Sequence, residues 1–249
     1  MPRHLSTPNL PETAVCHMLV AEFACPRLAA ALAAHGVQVL PAPKTMSLPY
    51  RVNDHADMNC RHLGGKELMV FRDALLHPDM NAAGLKVIRS ATPAGEKYPA
   101  DAALNALLLS GFVFHKSDIT DPALRDALAE RGYEPISVNQ GYTACSVAIV
   151  DENSVITADE RIAAEASDIG LDVLLISPGH ICLPGYDYGF IGGACGKIAP
   201  DKLAFTGTLK HHPDYARILA FLTERGVEAV FLTEEPCFDC GGLIPVTQL

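Results

Sequence analysis

The segment Thr143-Ala-Cys-Ser-Val-Ala-Ile-Val-Asp-Glu-Asn-Ser-Val-Ile-Thr-Ala-Asp-Glu-Arg-Ile-Ala-Ala-Glu-Ala-Ser-Asp-Ile-Gly-Leu-Asp-Val-Leu-Leu-Ile-Ser177 lays out one complete structural unit. Thr143–Val150 and Ser154–Asp159 flank the polar turn Asp151-Glu-Asn-Ser154, which predicts a β-hairpin. A helix follows around Glu160–Gly170, with Thr157 or Asp159 as its cap. Gly170 stands where the helix must stop in the left-handed region, which a residue without Cβ reaches cheaply. Asp172–Ser177 then supplies a third strand.

The same plan recurs along the chain. Helix, glycine and strand entry repeat at Gly36-Val-Gln-Val-Leu, Gly84-Leu-Lys-Val-Ile, Gly132-Tyr-Glu-Pro-Ile, Gly170-Leu-Asp-Val-Leu and Gly226-Val-Glu-Ala-Val, roughly 40 to 55 residues apart. The fifth unit runs through Gly193–Ile198, Lys202–Gly207, a helix near His212–Gly226 and Glu228–Glu234. The third reads Ala103–Leu109, Phe112–Ser117 and a helix over Asp121–Gly132. The second has Cys60–Leu63, a turn at Gly64-Gly65, Lys66–Arg72 and a helix near His77–Gly84. The first has a strand at Cys16–Phe23, a helix opening at Pro26 and the strand Val37–Pro43, but no opening strand. A spare strand, Cys240–Val246, stands at the C-terminus, and pairing it beside Cys16–Phe23 completes the first unit and closes the ring. The expected architecture is therefore α/β, with five ββαβ units in one domain over residues 1–249 and a polar N-terminal tail at 1–14.

Composition narrows the function. A formal charge of −10 argues against nucleic acid, whose phosphates call for lysine and arginine. The most apolar stretch, Ala100–Phe114, is interrupted by Asp101, Asn105 and Ser110 and is too short to span a bilayer. The eight cysteines are scattered rather than set in a disulfide framework, and Met1–Val15 lacks a signal-peptide run, so a cytoplasmic protein with reduced thiols is expected.

Five such units closing in a ring resemble the pentein fold, the α/β propeller of the guanidino-group-modifying enzymes, over residues 15–248. The segments that carry the resemblance are Asp54-His-Ala-Asp-Met-Asn59, Gly179-His-Ile-Cys-Leu-Pro-Gly-Tyr-Asp-Tyr-Gly-Phe-Ile-Gly-Gly193 and Phe238-Asp-Cys-Gly-Gly-Leu-Ile-Pro245. More narrowly, the chain is similar to a bacterial branch of that superfamily without an established activity.

In such a ring the first strands of the units gather at one axis, where Asp57, Asp101 and Asp239 converge, with Thr143 and Gly192-Gly193 in the comparable places. Three carboxylates in a partly buried site call for a cation. A guanidinium or amidinium matches a carboxylate in two-point geometry, so a small cationic guanidino or amidino ligand is expected. His55 and Asp57, two apart, share a face if they lie on a strand. Their His-x-Asp pattern resembles the pair of arginine and agmatine deiminases, which implies His55 as acid/base and Asp57 as guanidinium ligand. The resemblance also implies Cys240 as nucleophile, with Cys60, Cys145 and Cys195 as rivals. Asn59, closing the same segment as His55, is expected among the ligand contacts.

Two long connections are expected to cover the site. Ser177–Gly189 carries His180, an alternative acid/base, and Pro41–Val52 offers Arg51 to a substrate carboxylate. Cys237-Phe-Asp-Cys240 has zinc-like spacing but no second spaced pair, so no metal and no cofactor is expected. Two functions fit: a cysteine-dependent hydrolase or amidinotransferase acting on a guanidino compound, or a non-catalytic binding or assembly module of the same fold.

Overall fold

The computed structural model describes residues 2–249. The first unit contains β1 (Arg3–His4), β2 (Val15–Val20), α1 (Cys25–Ala34) and β3 (Gln38–Pro41). The second contains the helical turn α2 (Ala56–Asn59), β4 (Cys60–His62), β5 (Glu67–Val70), a 3₁₀ segment over Pro78–Ala83 and β6 (Lys86–Arg89). The third contains β7 (Leu107–Leu109), β8 (Phe112–His115), α3 (Pro122–Glu130) and β9 (Glu134–Ser137). The fourth contains the turn α4 (Thr143–Ser146), β10 (Val147–Ile149), β11 (Ser154–Thr157), α5 (Glu160–Asp168) and β12 (Asp172–Leu175). In the fifth, a 3₁₀ turn over Gly192–Ala194 precedes β13 (Cys195–Ala199), β14 (Lys202–Phe205), α6 (Tyr215–Glu224) and β15 (Glu228–Phe231), and β16 (Ile244–Gln248) ends the chain.

These strands form five small sheets. In each of the last four units the first strand pairs antiparallel with the second, and the second parallel with the third across the helical connection. In the first sheet β16 takes the first-strand position: it pairs antiparallel with β2, which pairs parallel with β3. The polar N-terminal segment is ordered: β1 pairs with the far side of β16 and Leu5 is fully buried.

The repeat glycines behave as read: Gly36, Gly84, Gly132, Gly170 and Gly226 all have φ between 60° and 87°. The four longer helices, α1, α3, α5 and α6, each bury apolar residues at three- and four-residue spacing, as with Leu124 and Leu128 of α3 or Ile162, Ala163 and Ala166 of α5. Asp159, not Thr157, caps α5 by accepting the Arg161 and Ile162 amides. The helix expected at His77–Gly84 is a 3₁₀ segment instead. Asn81 in its middle favours turns over helix interior, and the stretch between Pro78 and Gly84 is too short to repay helix nucleation. Among the described residues, no helix is long and apolar enough to cross a membrane.

Candidate functional site

The candidate residues stand on the tight turns that enter the first strands, not on the strands themselves. Asp57 lies in α2, Cys145 in α4, Gly193 in the 3₁₀ turn, and Asp239 in the turn leading to β16. His55 and Asp57 are therefore not two steps along a strand, as their spacing implied. His55 is extended, with φ −62° and ψ 126°, and the chain turns helical at Ala56.

Asp239 reaches His55, its Oδ1 lying 3.7 Å from Nδ1, with both side chains 2% exposed. Its carboxylate accepts the Phe190 amide on Oδ2 and the Gly241 amide on Oδ1, each at 2.9 Å. Glycines make room for this pair. A Cβ on Gly193 would lie 2.2 Å from Asp239 Oδ1, and one on Gly241, whose φ is 77°, would lie 2.4 Å from His55 Cβ. Phe23 stacks on the His55 ring at 5.8 Å between centroids.

Asp57 is differently served. Neither of its buried oxygens has a hydrogen-bond partner. Burial above all, and then the charge of Asp239, push its carboxyl up to about 6, against the opposing pull of His55, the neighbouring Cys145 thiol and Arg61. Arg61 is itself buried, and it donates to the Leu104 and Asp57 carbonyls, both at 3.2 Å. Asn105 ties these turns together. Its Nδ2 donates to the Asp57 carbonyl at 3.1 Å and to Cys145 Sγ at 2.8 Å, while its Oδ1 accepts the Ala144 amide at 2.9 Å.

A cavity of about 520 Å³ opens beside this cluster, lined by His55, Asp101, Cys145 and Asp239. Tyr142 Oη donates to Asp101 Oδ2 at 2.8 Å, and Asp101 Oδ1 is buried without a partner. Burial raises the Asp101 carboxyl, with the Tyr142 hydrogen bond opposing. The wall is a continuous aromatic run: Tyr98, Tyr142, Phe190 and Tyr188 follow one another at 5.9, 6.5 and 6.2 Å between centroids. Four carboxylates, from Glu96, Asp101, Asp187 and Asp239, face the cavity against one lysine, Lys97.

Both long connections contribute to the lining, Pro49 and Val52 from one, Leu183, Tyr186 and Tyr188 from the other. The second is tied down beside Asp239: Cys182 receives the Asp239 amide at 2.8 Å and donates its own to Cys237 at 3.0 Å.

Several expected residues lie elsewhere. Cys240 is fully buried among Val15, Met18, Leu28, Phe238 and Leu243, and does not line the cavity. Burial pushes its thiol well above the usual range. Of the adjacent residues Asp239 and Cys240, it is Asp239 that lines the cavity, in a turn where Gly241 and Gly242 have φ of 77° and 78°. Asn59 is a brace, not a ligand contact: its Nδ2 donates to the Asn53 and His55 carbonyls at 3.0 and 2.8 Å in a fully buried position. His180 sits in a separate pocket of about 170 Å³ against His212, 5.2 Å away between centroids. Arg51 lies over a neighbouring groove and donates to the Pro184 carbonyl at 3.4 Å, holding the two long loops together. Sequence reasoning missed Arg61, Asn105, Tyr98, Tyr142 and Phe190. Arg61 and Asn105 gave a signal, as polar residues inside short stretches otherwise expected to be buried.

The model of a family of unknown function, DUF6873, matches residues 19–244. The chain belongs to this family. No curated protein matches it. Among solved structures it is similar to the inosamine-phosphate amidinotransferase of Streptomyces griseus, at 11% identity and a TM-score of 0.56, covering 96% of this chain and 94% of that one. The agmatine deiminase of C. jejuni matches at 8% identity and 0.56, covering 98% and 96%. The DDAH of Pseudomonas aeruginosa complexed with citrulline matches at 11% and 0.51, covering 88% and 93%. At these identities the likeness is one of fold, so this DUF6873 chain has the pentein fold of the guanidino-group-modifying enzymes.

Proposed function

We propose that this chain binds a small guanidino or amidino cation in the cavity beside His55 and hydrolyses one of its C–N bonds. The observation that carries the proposal is the joint presence there of Asp101, Asp239 and the aromatic run from Tyr98 to Tyr188. Carboxylates with little competing positive charge favour a cation. A planar guanidinium can also lie against the ring faces, which adds about 0.5–2 kcal/mol per well-placed contact. Asp101 Oδ1 and His55 Nε2 are buried without partners, as expected of groups whose hydrogen-bonding complement is a ligand. The relatives of like fold act on or hold agmatine, citrulline and amidino acceptors by their own descriptions, which agrees with this ligand class. His55 would move protons at the leaving nitrogen and at the attacking water.

The same proposal covers the architecture. The five sheets are arranged as the blades of one propeller domain over residues 1–249, closed by β16. The shared strand order and the place of β16 beside β2 support this. Eight free thiols agree with a cytoplasmic protein.

A second reading, a non-catalytic binding module, is favoured by the burial of Cys240. Titration calorimetry with agmatine, arginine, methylated arginine and guanidinoacetate, alongside assays for released ammonia, urea and amine, separates the two. Binding with product release supports hydrolysis, and binding without it supports the module. No binding of any of the four overturns the proposed ligand class.

A further inference from the structure

We propose that Cys145, on the turn between Thr143 and Ser146, is the nucleophile of this site, in place of the C-terminal cysteine. The inference rests on the cavity reading above and adds the reacting atom to it. Of the eight cysteines, Cys145 alone lines the cavity shared by His55, Asp101 and Asp239. The other rivals are spent on packing: Cys60 Sγ donates to the Ala56 carbonyl at 3.1 Å, and Cys195 packs in an aliphatic cluster with Ile191 and Leu203.

The surroundings of Cys145 suit a reacting sulfur. Asn105 Nδ2 donates to it at 2.8 Å, which fixes its position and favours the thiolate. Asn105 is itself locked by the amides of Ala144 and Cys145, at 2.9 and 3.3 Å. Asp57 lies alongside with two buried, unpartnered oxygens, and its raised pKa makes it a better proton acceptor than an ordinary carboxylate. Without a ligand, burial and the charges of Asp57 and Asp239 hold the thiol well above its usual range. A cation in the cavity reverses the local field, so the nucleophile forms only with substrate present.

The step balances without any further cofactor. The thiol proton passes by way of the Asp57 carboxylate and then His55, which lines the cavity, to the leaving nitrogen, the sulfur bonds the amidinium carbon, and the C–N bond breaks to release the amine. Water then bonds the carbon of the resulting thiouronium and gives one proton to His55. The C–S bond breaks, the sulfur takes the remaining hydroxyl proton, and a urea-type carbonyl is left.

The test uses the full chain in a Cys182→Ser background, since Cys182 is exposed and would react indiscriminately. The protein is treated with 2-chloroacetamidine, with and without agmatine, and labelled peptides are mapped by mass spectrometry. Binding and turnover of the four guanidino compounds are compared for Cys145→Ser and Cys240→Ser, with thermal melting to verify folding. The expected result is one label on Cys145, suppressed by agmatine. Cys145→Ser should lose turnover by at least about a thousandfold while its Kd stays within a few-fold, and Cys240→Ser should match its parent. Retained turnover in Cys145→Ser overturns the assignment and leaves the cavity reading intact, as does binding with neither label nor turnover in the parent. If the parent binds none of the compounds, the cavity reading itself fails.

Discussion

Asp57 and Asp239 occupy comparable turns, yet the chain serves them differently. Asp239 receives two backbone amides and a nearby imidazole, whereas Asp57 has two oxygens without partners. The folded protein therefore holds the Asp57 proton more tightly than the unfolded chain, where an aspartate titrates near ~3.9. The contribution is favourable below about pH 4 and is lost as pH rises through the folded value of about 6. Asp57→Asn should flatten the fall in stability between these limits, measured by urea denaturation at intervals from pH 4 to pH 7. An unchanged slope would show that Asp57 is not the group responsible. Of the three aspartates expected to converge, Asp101 and Asp239 line the cavity, whereas Asp57 is buried behind it and does not. Cys240 was misleading for a local reason: one residue's difference in a glycine turn decides which side chain faces the cavity. The aromatic wall was hidden because Tyr98, Tyr142 and Phe190 come from three separate connections that only the fold brings together.

At the scale of elements, helices with strong apolar spacing and a cap were readable, while the turns before the first strands were not. Those turns are four residues or fewer in length, below what periodicity can resolve. Their glycines divide into two kinds. Gly132 ends α3 with φ 76° and open space where a Cβ would go, so Gly132→Ala should cost about 1 kcal/mol in backbone strain alone. Gly241 has φ 77°, and an added Cβ would lie 2.4 Å from His55 Cβ, so Gly241→Ala should cost about 2–4 kcal/mol and weaken ligand binding. Chemical denaturation of the two variants side by side checks the difference. Equal losses would mean that the approach of Gly241 to His55 carries no energetic weight.

The molecule as a whole follows the repeat that the sequence displays five times. Its unevenness was equally informative: a first unit without an opening strand and a C-terminus with one to spare. Strand β16 lies between β1 and β2, with Val246 fully buried. A chain ending at Leu243 should consequently expose both neighbouring strand edges and fail to give a folded monomer, as read by size exclusion and far-UV circular dichroism. Cooperative unfolding of that truncated chain would argue against closure by β16. The central claim is the cationic site itself. Its most direct test is a crystal structure of the Cys145→Ser protein soaked with agmatine. The account predicts a guanidinium in the cavity, with its nitrogens on Asp101 and Asp239 and its plane against the Tyr98–Tyr188 aromatic run. An empty cavity, or agmatine bound away from those carboxylates, would contradict it.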